Sequence, residues 1–129
     1  RAVLELRHYF EGLLKEFTVP VDLAGASDFR RSVWTELVKI SFGTTLGYGD
    51  LANRLGLDAA AARAVGQAIG ANPLPIVIPC HRVIAADGRL HGFSGGLSTK
   101  ARLLRHEGLY VEGEGPSARV RPDMLDLGL

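Results

Sequence analysis

Pro79-Cys80-His81-Arg82-Val83 is the stretch from which the rest of this 129-residue chain can be read. Cys80 is the single cysteine. It follows Ile76-Val77-Ile78, an apolar run that reads as a short buried strand or extended segment. Pro73, Pro75 and Pro79 punctuate the run, so it cannot be helix interior. A stiff segment that ends in a thiol beside a histidine holds a nucleophile still. The same residues also read as an ordinary core cysteine, because free Cys is among the most buried residue types. Sequence neighbours usually point apart, so adjacency alone does not pair His81 with Cys80. The flanking chain has to decide.

Upstream, Asn72-Pro73-Leu74-Pro75 breaks a helix predicted over 59–71, and the Asn72 side chain can fix the turn by bonding its own following backbone. Asp58 caps that helix, and Gly56 gives a left-handed end to a shorter helix over about 50–55. Two helices joined so tightly read as a helix-turn-helix or as a plain αα-hairpin in a core. The second is built of alanine and glycine, with Arg63 and Gln67 as its only long polar side chains. Helices that read base edges carry several Asn, Gln or Arg, so contact of this one with DNA implies little sequence preference. Further upstream, Ser27 or Asp28 caps a helix over roughly 29–41. Residues 18–27 form a connector. Residues 1–18 read as an amphipathic helix, with Val3, Leu6, Phe10, Leu13, Leu14 and Phe17 as its apolar face and Glu5, Arg7, Glu11 and Lys15 opposite.

Downstream, Val83-Ile84-Ala85 and 90–93, joined at Asp87-Gly88, are expected to form a β-hairpin resembling a wing. Ser94-Gly95-Gly96 is a loop whose backbone N–H groups can face a ligand. Ser98 caps a helix over 99–107, closed by Gly108. Within it Lys100, Leu103, Leu104 and Glu107 share one face, and the leucines make that face core-directed. A carboxylate on a buried stripe needs a donor, and His81 suits Glu107. A Glu-oriented histidine can act as base toward Cys80, directly or through a water, and a partly cationic one lowers the thiol pKa. Surface pairing of Glu107 with Lys or Arg is the alternative. Residues 111–129 read as a mostly irregular tail. The expected fold class is mainly α with a small β-hairpin, a winged helix-turn-helix-like domain.

Composition bounds the function. Apolar residues make up 47% of the chain, enough for the core of one compact domain. No run of 18 apolar residues exists and the start shows no signal-peptide pattern, which suits a cytoplasmic protein away from membranes. A lone cysteine fits a reducing compartment, and the four histidines lack metal-ligand spacing, so no structural metal is expected. Residues 29–110 carry ten Lys/Arg against five Asp/Glu, while the rest of the chain carries five against nine. A basic centre between acidic ends is compatible with a nucleic-acid surface.

These blocks together resemble one family. Asn72-Pro73, Ile78 through Val83, Ser94-Gly95-Gly96-Leu97, Lys100 and His106-Glu107-Gly108 look like the O6-alkylguanine-DNA alkyltransferases. So do Gly47 through Ala52 and Ala62-Arg63-Ala64-Val65-Gly66, and the likeness runs from about Phe29 to Leu109. The resemblance implies a monomeric DNA repair protein of the cytoplasm, or of the nucleus in a eukaryote. It would flip an alkylated guanine from double-stranded DNA and move the O6-alkyl group irreversibly to Cys80, without cofactor or metal. Under it, His81 activates Cys80 through a water and Glu107 orients His81. Asn72 braces the segment, and Tyr48 stabilises the leaving guanine. Arg63 fills the gap in the base stack, with Ala64, Gly66 and Gln67 on the same DNA-facing helix. The Val83 carbonyl, Phe93, Ser94 and Lys100 surround the substrate base. Phe93 stands where the family commonly has Tyr. Residues 1–28 would be the last helix and linker of an N-terminal domain, 29–110 the catalytic DNA-binding domain and 111–129 the tail. Three rivals are a non-catalytic alkyltransferase-like lesion binder, a helix-turn-helix regulator with a structural cysteine, and a cysteine hydrolase using Cys80, His81 and Glu107.

Overall fold

The computed structural model describes residues 1–93 and 95–121, and among these it contains five α-helices and two two-stranded sheets. Ser27 accepts from the Arg30 N–H and starts α2, Asp28–Val38. Helix α3, Tyr48–Arg54, ends at a left-handed Gly56, and a 3₁₀ turn over Ala59–Ala61 leads into α4, Ala62–Gly70. Asp58 Oδ1 accepts from the Ala60 N–H, as its capping position predicts. Helices α2 and α4 pack through Val33, Leu37, Val65 and Ala68, and the Trp34 indole donates to the Ala68 carbonyl at 2.8 Å. Leu51 of α3 joins the same core as Val65 and Ala68 of α4, so the helix-turn-helix reading holds geometrically, with Ala62, Ala64, Gly66 and Gly70 of α4 outside this core.

A short parallel sheet fixes the site. Strand β1, Leu46–Gly47, pairs with β2, Val83–Ile84, in the register Leu46 to Val83 and Gly47 to Ile84. Tyr48, the first residue of α3, is thereby set beside the chain leaving Cys80. The expected hairpin is half right. Gly88 N–H donates to the Ala85 carbonyl and Ala85 N–H to Arg89, so the turn at Asp87-Gly88 forms. The return limb, however, does not continue along β2. Leu90 N–H donates to Ala118 and Arg89 bridges Arg119, so its partner is the tail. The described part of that tail is ordered rather than irregular. Strands β3, Val111–Glu112, and β4, Arg119–Val120, pair antiparallel. Val111, Ala118 and Val120 are buried with Ile84, Leu90, Ala101 and Leu104 in a second core. Hydrophobic burial explains this: the alternation of Ala118 and Val120 supplies an apolar face that the Leu90 limb lacks on its own.

Three further expectations need correction. Helix α1 covers only Ala2–Phe10, because Gly12 takes φ +77° and the Leu13 N–H closes back on the His8 carbonyl at 2.8 Å. Its buried face also differs from the expected one. Val3 and Leu13 are each 72% exposed and Leu6, Leu14 and Phe17 only half-buried, while Glu5 and Tyr9 are buried. Glu5 accepts from Thr18 N–H, Thr18 hydroxyl and Val19 N–H, tying the chain reversal to the helix. Helix α5 spans Leu97–His106, with Gly96 rather than Ser98 at its start, since φ +92° there turns the chain. Finally, Ile76-Val77-Ile78 is a compact turn and no strand: the Ile78 N–H donates to Leu74 and Ile76 itself has φ +79°. Prolines on both sides deny the run the donors a strand ladder needs.

Candidate active site

Cys80 opens a 3₁₀ turn, Cys80–Arg82, entered through Pro79 with φ −82° and ψ 64°. The Cys80 N–H donates to the Ile78 carbonyl at 2.8 Å, an inverse γ-turn that leaves the residue no slack. Asn72 clamps the loop behind it, donating through Nδ2 to the Ile78 carbonyl at 2.8 Å and accepting from the Leu74 N–H at 2.9 Å. The bracing expected of Asn72 is thus present as two hydrogen bonds.

His81 and Glu107 meet as their spacing suggested. The His81 Nε2 to Glu107 Oε2 distance is 2.7 Å, and both side chains are fully buried. Burial alone would raise the Glu107 carboxyl. Hydrogen bonds from His81, Arg82 and Tyr9 overcome it and hold the group at about 2. An ionised Glu107 requires His81 to donate through Nε2–H, which makes Nδ1 the bare nitrogen. That Nδ1 is buried and has no hydrogen-bond partner within the protein. Burial, more than the Glu107 contact opposes, keeps the imidazole pKa low, so His81 rests neutral. Burial also pushes the Cys80 thiol up, against the Asn72 side chain and the Lys100 charge. The expectation of a thiol depressed by a partly cationic histidine is therefore corrected. Burial stabilises the protonated thiol at rest, and its proton must leave when the nucleophile acts.

Cys80 lies at a cavity of about 670 Å³, which is within the usual size of small-ligand sites. Tyr48, Gly66 and Phe93 line it together with Ile69, Gly70 and His91. Burial, and then the charge on Cys80, raises the Tyr48 hydroxyl, so it remains a donor at neutral pH. The Tyr48 and His91 rings lie 5.5 Å apart. Arg63, Ala64, Gly66 and Gln67 are all exposed on α4. A Cβ placed on Gly66 or Gly70 would meet nothing within 4 Å, so this face stands open at the cavity. Lys100 sits behind the wall rather than in the cavity. It donates to the Val83 carbonyl at 2.6 Å and to Leu90 and Gly92, stapling β2 to the return limb. Burial draws its ammonium down to about 8. The Val83 carbonyl consequently already holds one donor. Ser94 lies outside the described residues. Among those residues, no group of three or more His, Cys, Asp or Glu is arranged to hold a metal ion, and no helix is long and apolar enough to cross a membrane.

The family "6-O-methylguanine DNA methyltransferase, DNA binding domain" matches residues 28–109. The chain belongs to that family. Among methyltransferase relatives, the methylated-DNA–protein-cysteine methyltransferase of Mycobacterium tuberculosis is 49% identical over 82% of this chain and 63% of its own length. The inducible enzyme of that name from Bacillus subtilis is 50% identical over 78% of this chain and 55% of its own. This chain thus spans roughly three fifths of the length of the curated relatives it matches. The crystal structure of M. tuberculosis OGT in complex with DNA superposes with a TM-score of 0.78 at 49% identity, covering 82% of this chain and 65% of that one. S. pombe Atl1, solved with damaged DNA containing O6-carboxymethylguanine, gives 0.60 at 28% identity, covering 78% and 91%.

Sequence reasoning missed Tyr9 and left Arg82 without a role, although both ligate Glu107. Arg82 stood inside the decisive motif, and the need of a buried guanidinium for a carboxylate was the available signal. Tyr9 gave none beyond the tendency of buried tyrosine to find a polar partner.

Proposed function

We propose that the chain repairs DNA by flipping an O6-alkylguanine out of the duplex and transferring the alkyl group to Cys80 in a single turnover. The observation that carries this reading is the buried Cys80 at the cavity, with the His81–Glu107 pair behind it and the open small-residue helix beside it. The target oxygen is unreachable inside a stacked duplex, so the base must leave the stack, at a cost of a few kcal/mol. Arg63, long and exposed on α4, fills the gap left behind. Helix α4 meets the minor groove closely because its exposed residues other than Arg63 and Gln67 are alanine and glycine, and it has little sequence preference.

The chemistry follows from the protonation states. His81 Nδ1 takes the Cys80 proton through a water as the sulfur attacks the alkyl carbon. The carbon–O6 bond breaks and its electron pair stays on guanine, which the Tyr48 hydroxyl stabilises. The guanine anion takes up one proton, offsetting the one His81 has accepted, and a thioether and an intact guanine result. The alkyl carbon moves whole, without change of oxidation state, so no cofactor enters the balance. The thioether has no leaving group, which makes the reaction stoichiometric. Val83 and Phe93 bound the flipped base, and Lys100 holds the Val83 wall. The protein acts as a monomer on double-stranded DNA, in the cytoplasm or nucleus.

Cys80→Ala tests the assignment. It should abolish transfer from an O6-methylguanine duplex while lesion binding persists, and methyl transfer by that variant would refute the role of Cys80.

A further inference from the structure

Glu107 is gripped from outside the family's matched region. Tyr9, in α1, lies before residue 28, and its hydroxyl donates to Glu107 Oε2 at 2.7 Å. The ring is fully buried, 4.8 Å from His106 and 6.0 Å from Phe42, centroid to centroid. His106 Nε2 donates to the Tyr9 carbonyl at 2.7 Å, which fixes the backbone as well. Tyr9 is thus locked onto the carboxylate by packing and by the main chain.

The donor set around Glu107 is full. Oε2 accepts from Tyr9, from His81 at 2.7 Å and from Arg82 Nη2 at 3.0 Å. Oε1 accepts from Arg82 Nε at 2.8 Å and from the Gly43 N–H at 3.2 Å. Tyr9 and His81 therefore share one oxygen. A hydroxyl donating to it withdraws charge that would otherwise stabilise an imidazolium. It also fixes the carboxylate so that the His81 Nε2 proton has one acceptor.

We propose that Tyr9 is a positioning residue of the Cys80–His81–Glu107 set, holding Glu107 so that His81 stays neutral with a bare Nδ1. This rests on the alkyl-transfer reading for its biological meaning, but not for its test. The groups that face His81 electrostatically are Arg82 on its own turn, and Glu107 and Lys100 at the two ends of the buried α5 stripe. Tyr9 acts on it only through Glu107.

The test is the pH dependence of Cys80 alkylation by a small thiol reagent, with the His81 ring followed by ¹⁵N NMR. Tyr9→Phe removes the donor, so the acid limb and the His81 titration should move up by about half to one pH unit. Site-specific 3-fluorotyrosine at position 9 is nearly isosteric and a stronger donor, so it should move both down. Opposite shifts support the assignment. Limbs that coincide with wild type in the fluorotyrosine protein overturn it, even if Tyr9→Phe fails to fold. Methyl transfer from an O6-methylguanine duplex is measured separately on the wild type. If that transfer is absent while the shifts appear, the alkyl-transfer reading falls and the Tyr9 assignment stands.

Discussion

A thiol kept protonated by burial needs a base that is itself neutral, and the Cys80 turn supplies both through adjacent residues. Glu107→Gln removes the charge that orients His81 and favours its imidazolium, so Cys80 alkylation should slow and its acid limb should move to lower pH. The alkylation pH profile reads this directly, and an unchanged profile would separate Glu107 from the chemistry. At the DNA face, Arg63→Ala should slow duplex repair about tenfold if the guanidinium offsets about 1.4 kcal/mol of unstacking. Repair of the same lesion in single-stranded DNA should be unaffected, and equal losses on both substrates would contradict the wedge. The His81–Glu107 pair was legible in the sequence because Leu103 and Leu104 fixed which face of the helix was buried. Tyr9 was not legible. Its contact spans 98 positions and depends on where α1 docks, which no local pattern encodes.

The elements behaved differently according to how local their causes were. Caps and glycine ends set α2, α3 and α4 close to where the sequence put them, because Ser27, Asp58 and Gly56 act within a turn. Helix α1 was misread because apolar spacing was taken for burial, whereas the buried side chains are Glu5 and Tyr9, held by specific acceptors and donors. The Leu90 limb was misread because its partner, β4, is remote in sequence. Two substitutions check the element contacts. Trp34→Phe leaves the Ala68 carbonyl without its indole donor and should cost about 1–3 kcal/mol in chemical denaturation. A Cβ on Gly88 would stand 2.7 Å from the Val120 carbonyl, in a backbone with φ +90°. Gly88→Ala should therefore destabilise by about 1–3 kcal/mol, and a neutral result would show that the tail does not dock there.

For the molecule as a whole, the same carboxylate couples catalysis to stability. Glu107 is held at about 2 in the fold against an ordinary value near 4.5. Its contribution is fully present above about pH 4.5 and is lost as pH falls from there toward 2, on the order of 3 kcal/mol. Denaturant midpoints measured across that window should fall in wild type and stay flatter in Glu107→Gln. The basic balance of residues 29–110 was a weak pointer to DNA by itself, and became informative only with an open Arg63 and Gln67 face beside the cavity. The central claim is single-turnover transfer to Cys80, and intact mass tests it most directly. After incubation with a duplex carrying one O6-methylguanine, the protein should gain one methyl group, located on Cys80, with equimolar loss from the DNA. Tight lesion-selective binding without any mass gain would contradict the account and leave a non-catalytic lesion binder.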